Sequence, residues 1–275
     1  MDSREEAGTP RSMRVAHRID VHHHVCPPAY REALRRIGVR QEGGVPVPRW
    51  SAEHALAIMD RQGIATAIAS ISAPGVYFGD LGLARDLARL CNEFTADVIA
   101  AHPDRFGGFA VLPLPDIGAA LEELGHALDV LHLDGVIVLT SVDGHYLGDP
   151  LFDPLLAELH LRRVPTFVHP NTPHTGGANL RLPSSMVDYP FDTSKAVANL
   201  LVSGALARFP DIPLILSHAG GTVPYRAWRF GLFQERLHLP LHDLAVHASE
   251  VVTHRFTRGP RDEGTQGVAL LKRLY

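Results

Sequence analysis

Short apolar runs alternate with longer amphipathic segments along this 275-residue chain. Apolar runs of about four to eight residues bounded by Gly, Pro or polar residues are typical of buried strands, and longer periodic segments are typical of helices. The predicted strands cover 14–24, 65–71, 106–112, 135–140, 165–169 and 212–218. The predicted helices cover 30–37, 52–61, 83–101, 117–131, 154–161, 193–209, 228–237 and 244–252, and a long loop is predicted over 170–190.

Strands that alternate with helices pair in parallel through right-handed crossovers, which restricts the chain to α/β folds. A Rossmann-type sheet is disfavoured because no Gly-rich phosphate loop follows the first strand. We therefore predict a (β/α)8 barrel of the TIM type that is incomplete, with about six βα units present and the last units missing. The barrel domain is predicted over 14–275, and residues 1–13 are predicted to form a flexible polar tail.

Histidines stand at the ends of three predicted strands. His22 and His24 end the first strand, His169 ends the fifth and His218 ends the sixth. Successive side chains of a strand point to opposite faces, so His22 and His24 share one face and His23 points away. Strand ends of a barrel converge on one mouth, and neutral imidazoles bind zinc and similar ions. The four histidines together predict a metal site, whereas the first pair alone is also compatible with a His-rich surface turn.

Asp20 lies two residues before His22 and is predicted to share its face. On that parity, the Asp20 carboxylate is expected to contact a ligand or a core group lower in the barrel.

Composition limits the partners and the compartment. A net charge of -4 gives no indication of nucleic-acid binding, and no apolar run is long enough to span a bilayer. The charged residues 2–6 lack the apolar stretch of a signal peptide. Cys26 and Cys91 are the two cysteines of the chain, so no disulfide framework is indicated and a cytoplasmic location is predicted.

Three motifs carry a resemblance to the amidohydrolase superfamily of metal-dependent barrels: Ile19-Asp20-Val21-His22-His23-His24, Phe167-Val168-His169-Pro170 and Ser217-His218-Ala219-Gly220-Gly221. Within it, the chain resembles the non-oxidative decarboxylases related to aminocarboxymuconate-semialdehyde decarboxylase. Two further stretches are similar to the 6-methylsalicylate decarboxylase-like members of that branch: Ser72-Ala73-Pro74-Gly75-Val76 and Tyr146-Leu147-Gly148-Asp149.

The resemblance implies roles for the four histidines. His22, His24 and His169 would bind one divalent metal ion, zinc or alternatively manganese, and His218 would be the catalytic acid/base beside it. The family adds an aspartate from a Gly-Ser-Asp motif at the end of strand eight, and this chain has no such motif. We therefore expect a truncated gene product, with completion of the barrel by another chain as the alternative. The family also implies a homodimer.

The activity implied is the non-oxidative decarboxylation of an aromatic or enoic carboxylic acid, such as a salicylate-type compound. Arg49 is a candidate for holding the substrate carboxylate, and Trp50 and Phe191 are candidates for sandwiching a planar ring. The alternative is that Arg49 is solvated and that the two aromatic side chains pack in the core. Two other functions stay open: metal-dependent hydrolysis of a lactone or ester, and a non-catalytic remnant that binds metal.

Overall fold

The computed structural model describes residues 18–172, 181–237 and 269–271. Its strands are β1 (Arg18–Val25), β2 (Gln41–Glu42), β3 (Val45–Pro46), β4 (Ile64–Ile71), β5 (Phe106–Val111), β6 (Gly135–Leu139), β7 (Ser141–Val142), β8 (His145–Tyr146), β9 (Thr166–His169), β10 (Leu214–Leu216) and β11 (Ala269–Leu271). Its α-helices are α1 (Pro28–Arg36), α2 (Ala52–Gln62), α3 (Leu81–Ala101), α4 (Ile117–Gly125), α5 (Asp153–Arg162), α6 (Ser184–Val202), α7 (Ala205–Arg208) and α8 (Val223–Leu237).

The main sheet has the strand order β1-β4-β5-β6-β9-β10-β11. The first six pair in parallel, and β11 pairs antiparallel with β10. These six parallel strands with helical crossovers confirm the predicted barrel-type α/β fold. Within the described residues the sheet is open between β1 and β11. The predicted tail 1–13 and the predicted helix 244–252 lie outside the described residues, in which no helix is long and apolar enough to cross a membrane.

The second helix begins and ends where local chemistry predicts. The Ser51 hydroxyl accepts a hydrogen bond from the His54 amide, 3.3 Å away, which caps the first turn of α2. Gly63 ends the helix with φ of 65°, a left-handed conformation that glycine adopts without steric cost. This turn leads directly into β4.

The helix α6 corrects the end of the predicted loop over 170–190, at residues 184–190; residues 173–180 of that loop lie outside the described residues. The predicted helix over 193–209 is confirmed up to Val202 and again in α7. The helix α6 begins at Ser184 and contains Pro190, which normally breaks a helix because its ring removes an N–H donor. The helix continues because one face of it, including Tyr189 and Leu200, is buried against the sheet. It ends at Val202 because Gly204, with φ of 72°, turns the chain into α7.

Alternate residues of the central strands enter two different apolar clusters. Phe109, Val111, Ile137, Phe167 and Ile215 share one cluster, on the inner face of the curved sheet. Their neighbours Ala110, Val136, Val138, Val168, Leu214 and Leu216 belong to the other, together with apolar residues of α4, α5 and α6. Strands buried on both faces are typical of a parallel sheet covered by helices. The Phe109 and Phe167 rings stack on the inner face, with centroids 6.0 Å apart.

Replacing Phe167 by alanine is expected to lower the free energy of unfolding by about 3–5 kcal/mol. Phe167 is fully buried and contacts both Phe109 and His22, so its removal leaves a cavity beneath the histidines. Urea unfolding measures the loss. Leu161→Ala is the control, because this side chain is 77% exposed and its truncation should change stability by less than about 0.5 kcal/mol. A similar small effect for Phe167→Ala would contradict the packing described above.

Candidate metal centre

Four histidines meet at the carboxyl ends of β1, β9 and β10. The His22 ring centroid lies 4.7 Å from that of His24, 5.3 Å from that of His169 and 4.9 Å from that of His218. One ring nitrogen from each of His22, His169 and His218 lies within 4.8 Å of the other two, a separation that allows one ion to reach all three. The structure therefore brings together all four histidines that the sequence singled out.

The alternation of side chains along a strand explains why His169 points to the inner face, but it does not explain the orientation of His218. His169 follows Phe167 by two residues on β9 and therefore shares its inner face. The same count from Ile215 would turn Ser217 inward and His218 outward. Instead β10 ends at Leu216, and His218 and Ala219 adopt left-handed φ angles of 52° and 55°. This sparsely populated conformation redirects the His218 ring toward His22 and His169.

The first strand is irregular where the motif begins. Asp20 pairs with Ala67 of β4 and His23 pairs with Ala69, so three steps on β1 match two on β4. Such a bulge shifts the alternation of side chains, and Asp20 no longer shares the face of His22. The Asp20 carboxylate accepts a hydrogen bond from the His22 amide at 3.0 Å and lies 3.7 Å from His23 Nδ1. The predicted shared face of Asp20 and His22 is therefore wrong.

Several ring nitrogens of the grouped histidines have no hydrogen-bond partner among the described residues. His169 Nδ1 donates to the Pro170 carbonyl at 2.7 Å, which leaves Nε2 with its lone pair. His24 Nδ1 contacts the Ser70 hydroxyl at 3.2 Å, and its Nε2 has no hydrogen-bond partner among the described residues. Both ring nitrogens of His22 are buried without one. Buried polar atoms without a partner are costly, so this donor set fits a divalent metal ion.

Burial keeps these imidazoles neutral. Desolvation, with the neighbouring His24 and His218, lowers the pKa of His22 from 6.5 to about 2. Desolvation also lowers the pKa of His24 to about 3, and that of His169 falls well below its ordinary value. Only the neutral form offers a lone pair to a metal, so the site is held in its ligand form across the neutral pH range.

A cavity of about 750 Å³ lies at the same end of the sheet. Ile71, which follows Ser70, and Leu139, the strand neighbour of His169, are part of its wall. The wall also includes apolar side chains on one part and polar side chains on another: Val76, Phe78, Val111, Leu112, Ile137, Arg40, Glu42, Ser141, Asp143, Asn171 and Thr172. An apolar cavity with a few polar groups is the usual form of a small-molecule site.

The three predicted substrate-binding residues are not among the side chains that line this cavity, and neither are the four histidines. Arg49 is exposed, and Phe191 is 40% exposed on α6 with the Arg226 guanidinium over its ring. Trp50 packs against Phe94 and Phe106, and Phe106 begins β5, at the opposite end from the histidines. Their places fit the alternative of a solvated arginine and packing aromatics.

Two polar groups near the site, one of them fully buried, were missed from the sequence. Asp192 on α6 is fully buried and accepts hydrogen bonds from the hydroxyls of Thr140 and Tyr146. Glu42 accepts one from Tyr189, whose ring lies beside His169. Glu42 lies in a segment predicted as a loop, and Asp192 lies between the predicted loop over 170–190 and the predicted helix over 193–209, so no local pattern marks either. Their hydrogen-bond partners come from distant parts of the chain.

Comparisons with known proteins show the family to which the chain is similar. The chain matches the amidohydrolase family over residues 19–261. It is 43% identical to the 6-methylsalicylic acid decarboxylase acuB of Aspergillus aculeatus over 213 residues, which cover 76% of this chain and 64% of that protein. The chain thus spans less than two thirds of the length of this curated relative.

Solved structures share the fold. An amidohydrolase II crystal structure superposes with a TM-score of 0.78 at 29% identity, over 84% of this chain and 75% of that one. The dihydroxybenzoic acid decarboxylase of Polaromonas sp. JS666, with bound manganese and the inhibitor 2-nitroresorcinol, gives a TM-score of 0.63 at 25% identity, over 77% and 68% of the two chains. The predicted likeness to 6-methylsalicylate decarboxylases is confirmed, and the chain belongs to the amidohydrolase family.

Proposed function

We propose that the chain is a metal-dependent, non-oxidative decarboxylase of an aromatic carboxylic acid of the salicylate type. The observation that carries the proposal is the grouping of the ring nitrogens of His22, His169 and His218 within 4.8 Å, at the end of the sheet that holds the cavity. The names of the Aspergillus and Polaromonas relatives, both decarboxylases of hydroxylated benzoic acids, support the substrate class.

We infer that the histidines hold one divalent cation, with zinc as the first choice. Three imidazole ligands with one position left open suit a catalytic zinc ion, and the manganese in the Polaromonas relative supports manganese as the alternative. A divalent cation there would supply a Lewis acid that withdraws electron density from a substrate oxygen. Elemental analysis of the purified protein distinguishes the two metals.

The side chains suggest how the reaction would proceed. His218, held at the rim by its left-handed backbone, would deliver a proton to the ring carbon that carries the carboxylate. The bond from that carbon to the carboxylate then breaks, its electron pair restores the aromatic ring, and carbon dioxide leaves. His218 regains a proton from solvent. The aliphatic wall formed by Ile71, Val111 and Ile137 would accept the flat ring and exclude water.

The direct test is incubation with salicylate, 6-methylsalicylate and 2,6-dihydroxybenzoate in the presence of Zn²⁺ or Mn²⁺. We expect stoichiometric release of carbon dioxide and of the decarboxylated phenol. Hydrolysis of a lactone or ester without carbon dioxide release would replace the proposal with a hydrolase. Tight metal binding without turnover of either kind would establish a non-catalytic remnant.

Paired variants separate the proposed roles of His24 and His218. His218→Ala should retain the metal and lower kcat by about 10²–10⁴-fold, the usual contribution of a general acid. His24→Ala should lose the metal together with the activity. Metal content and kcat are measured on the same samples. The reverse pattern would make His218 the ligand, as its distance to His22 and His169 also allows.

We also propose a cytoplasmic homodimer. The two cysteines are free and buried, which is compatible with a reducing compartment. Tyr225 and Trp228 expose 92% and 75% of their surface on one side of α8, and large exposed apolar groups favour association. Analytical ultracentrifugation tests the dimer.

A further inference from the structure

One oxygen of the Glu42 carboxylate connects three parts of the chain. Glu42 Oε1 accepts hydrogen bonds from the Thr172 amide at 3.0 Å, from the Thr172 hydroxyl at 2.5 Å and from the Tyr189 hydroxyl at 3.0 Å. Glu42 belongs to the β2–β3 hairpin, Thr172 follows the strand of His169, and Tyr189 lies on α6. The carboxylate therefore fixes the hairpin to two segments that border the histidines.

Tyr189 carries this connection to the metal centre. Its ring lies 6.0 Å from the His169 ring, edge to face, and 6.3 Å from the His218 ring. The side chain is 6% exposed. Burial and the Glu42 carboxylate raise the pKa of the Tyr189 hydroxyl, so it stays a hydrogen-bond donor at neutral pH. The hydrogen bond to Glu42 thus orients the Tyr189 ring, and the ring packs against His169 and His218.

The hairpin lies directly against this tyrosine. Gly43 has φ of 59°, and a Cβ atom placed there would lie 2.7 Å from the Tyr189 hydroxyl oxygen. The Gly43 carbonyl also accepts a hydrogen bond from the Ser185 amide at 3.1 Å, in the first turn of α6. Glu42 also forms part of the cavity wall. The hairpin therefore covers the site from the side of Tyr189.

We propose that Glu42 is a positioning residue for the histidine site, which holds Tyr189 against His169 and His218 and so increases the affinity for the metal. This inference rests on the proposed metal site but not on decarboxylation. Residues that orient metal ligands without touching the metal typically contribute about 10–100-fold to affinity. Glu42 needs only an oxygen that accepts from Tyr189 and Thr172, so glutamine should substitute for it.

The test measures the dissociation constant and the release rate of Zn²⁺ in the full chain, without substrate. Glu42→Ala and Tyr189→Phe should each weaken binding about tenfold. The double variant should bind no more weakly than the weaker single variant, because both changes break one connection. Glu42→Gln should restore affinity to within about threefold of the unchanged protein.

Glu32→Ala is the matched control, because Glu32 lies on α1 and pairs only with the exposed Arg35 and Arg36 in the described structure. It should leave zinc affinity unchanged. Thermal melts of the metal-free proteins confirm that each variant folds; should Glu42→Ala not fold, Tyr189→Phe and Glu42→Gln decide the question. Unchanged affinity in Tyr189→Phe, or a Glu42→Gln variant as weak as Tyr189→Phe, overturns the proposal. Failure of decarboxylation alone leaves these binding results unaffected and counts only against the proposed function.

Discussion

Replacing His22 by alanine is expected to abolish tight metal binding and, with it, turnover. The His22 ring contacts the other three histidines, as the His169 ring also does, and both nitrogens of His22 lack hydrogen-bond partners in the described structure. Loss of a ligand should cost more than the 10–100-fold typical of an orienting residue, so we expect at least about 100-fold weaker binding. Competition with a chromogenic chelator measures it.

The adjacent histidine provides a matched control. His23 lies on the opposite face of β1, with its ring 5.9 Å from Phe106 and its Nδ1 3.7 Å from Asp20. His23→Ala should therefore retain the metal, although it removes the same side chain one residue away. Circular dichroism confirms that both variants are folded. Equal loss of metal in the two variants would show that the strand, and not the His22 ring, is what matters.

The metal-free protein is expected to lose stability steeply as the pH falls below about 6.5. The pKa values of His22 and His24 are lowered in the folded state to about 2 and about 3, and that of His169 lies well below its ordinary value. The unfolded chain therefore binds more protons than the folded chain between these values and 6.5. The free energy of unfolding is therefore highest above pH 6.5, where the rings are neutral in both states, and it decreases progressively as the pH falls.

The expected size of this effect is large. Each such histidine lowers the free energy of unfolding by about 1.4 kcal/mol per pH unit below 6.5. Three of them give an upper figure of about 4 kcal/mol between pH 7.5 and 5.5, comparable with a large part of the stability of an ordinary domain. Urea titrations of the metal-free protein at several pH values measure the slope.

A variant identifies the groups responsible. His22→Ala should flatten the pH dependence by about one proton. Saturating Zn²⁺ should raise stability at neutral pH, because the ion binds the folded state only. If the metal-free protein were equally stable at pH 5.5 and 7.5, the burial of these rings would not control its protonation.

Local periodicity was sufficient for the strands of the sheet and for most helices. The apolar runs predicted six parallel strands, and all six pair in the expected order. The prediction from local sequence was wrong at the start of α6, because Pro190 and the Pro- and Gly-rich stretch before it predicted a loop. The burial of Tyr189, Asp192 and Leu200 on one helix face compensates for the proline, and this burial depends on docking against the sheet.

The sequence by itself determined which residues reach the end of the sheet. The alternation on β9 places His169 on the same face as Phe167, and the His22-His23-His24 triplet gives two imidazoles on one side. These are consequences of strand geometry, which depends only on neighbours along the chain.

Only the tertiary structure decided how the site is completed. The bulge in β1 removes Asp20 from the face of His22, and the left-handed turn at His218 brings in a ring that parity would direct outward. Glu42 meets Tyr189 across 147 positions of sequence. Such features arise where packed elements constrain the backbone and where distant segments meet. Neither can be predicted from the local periodicity of the sequence.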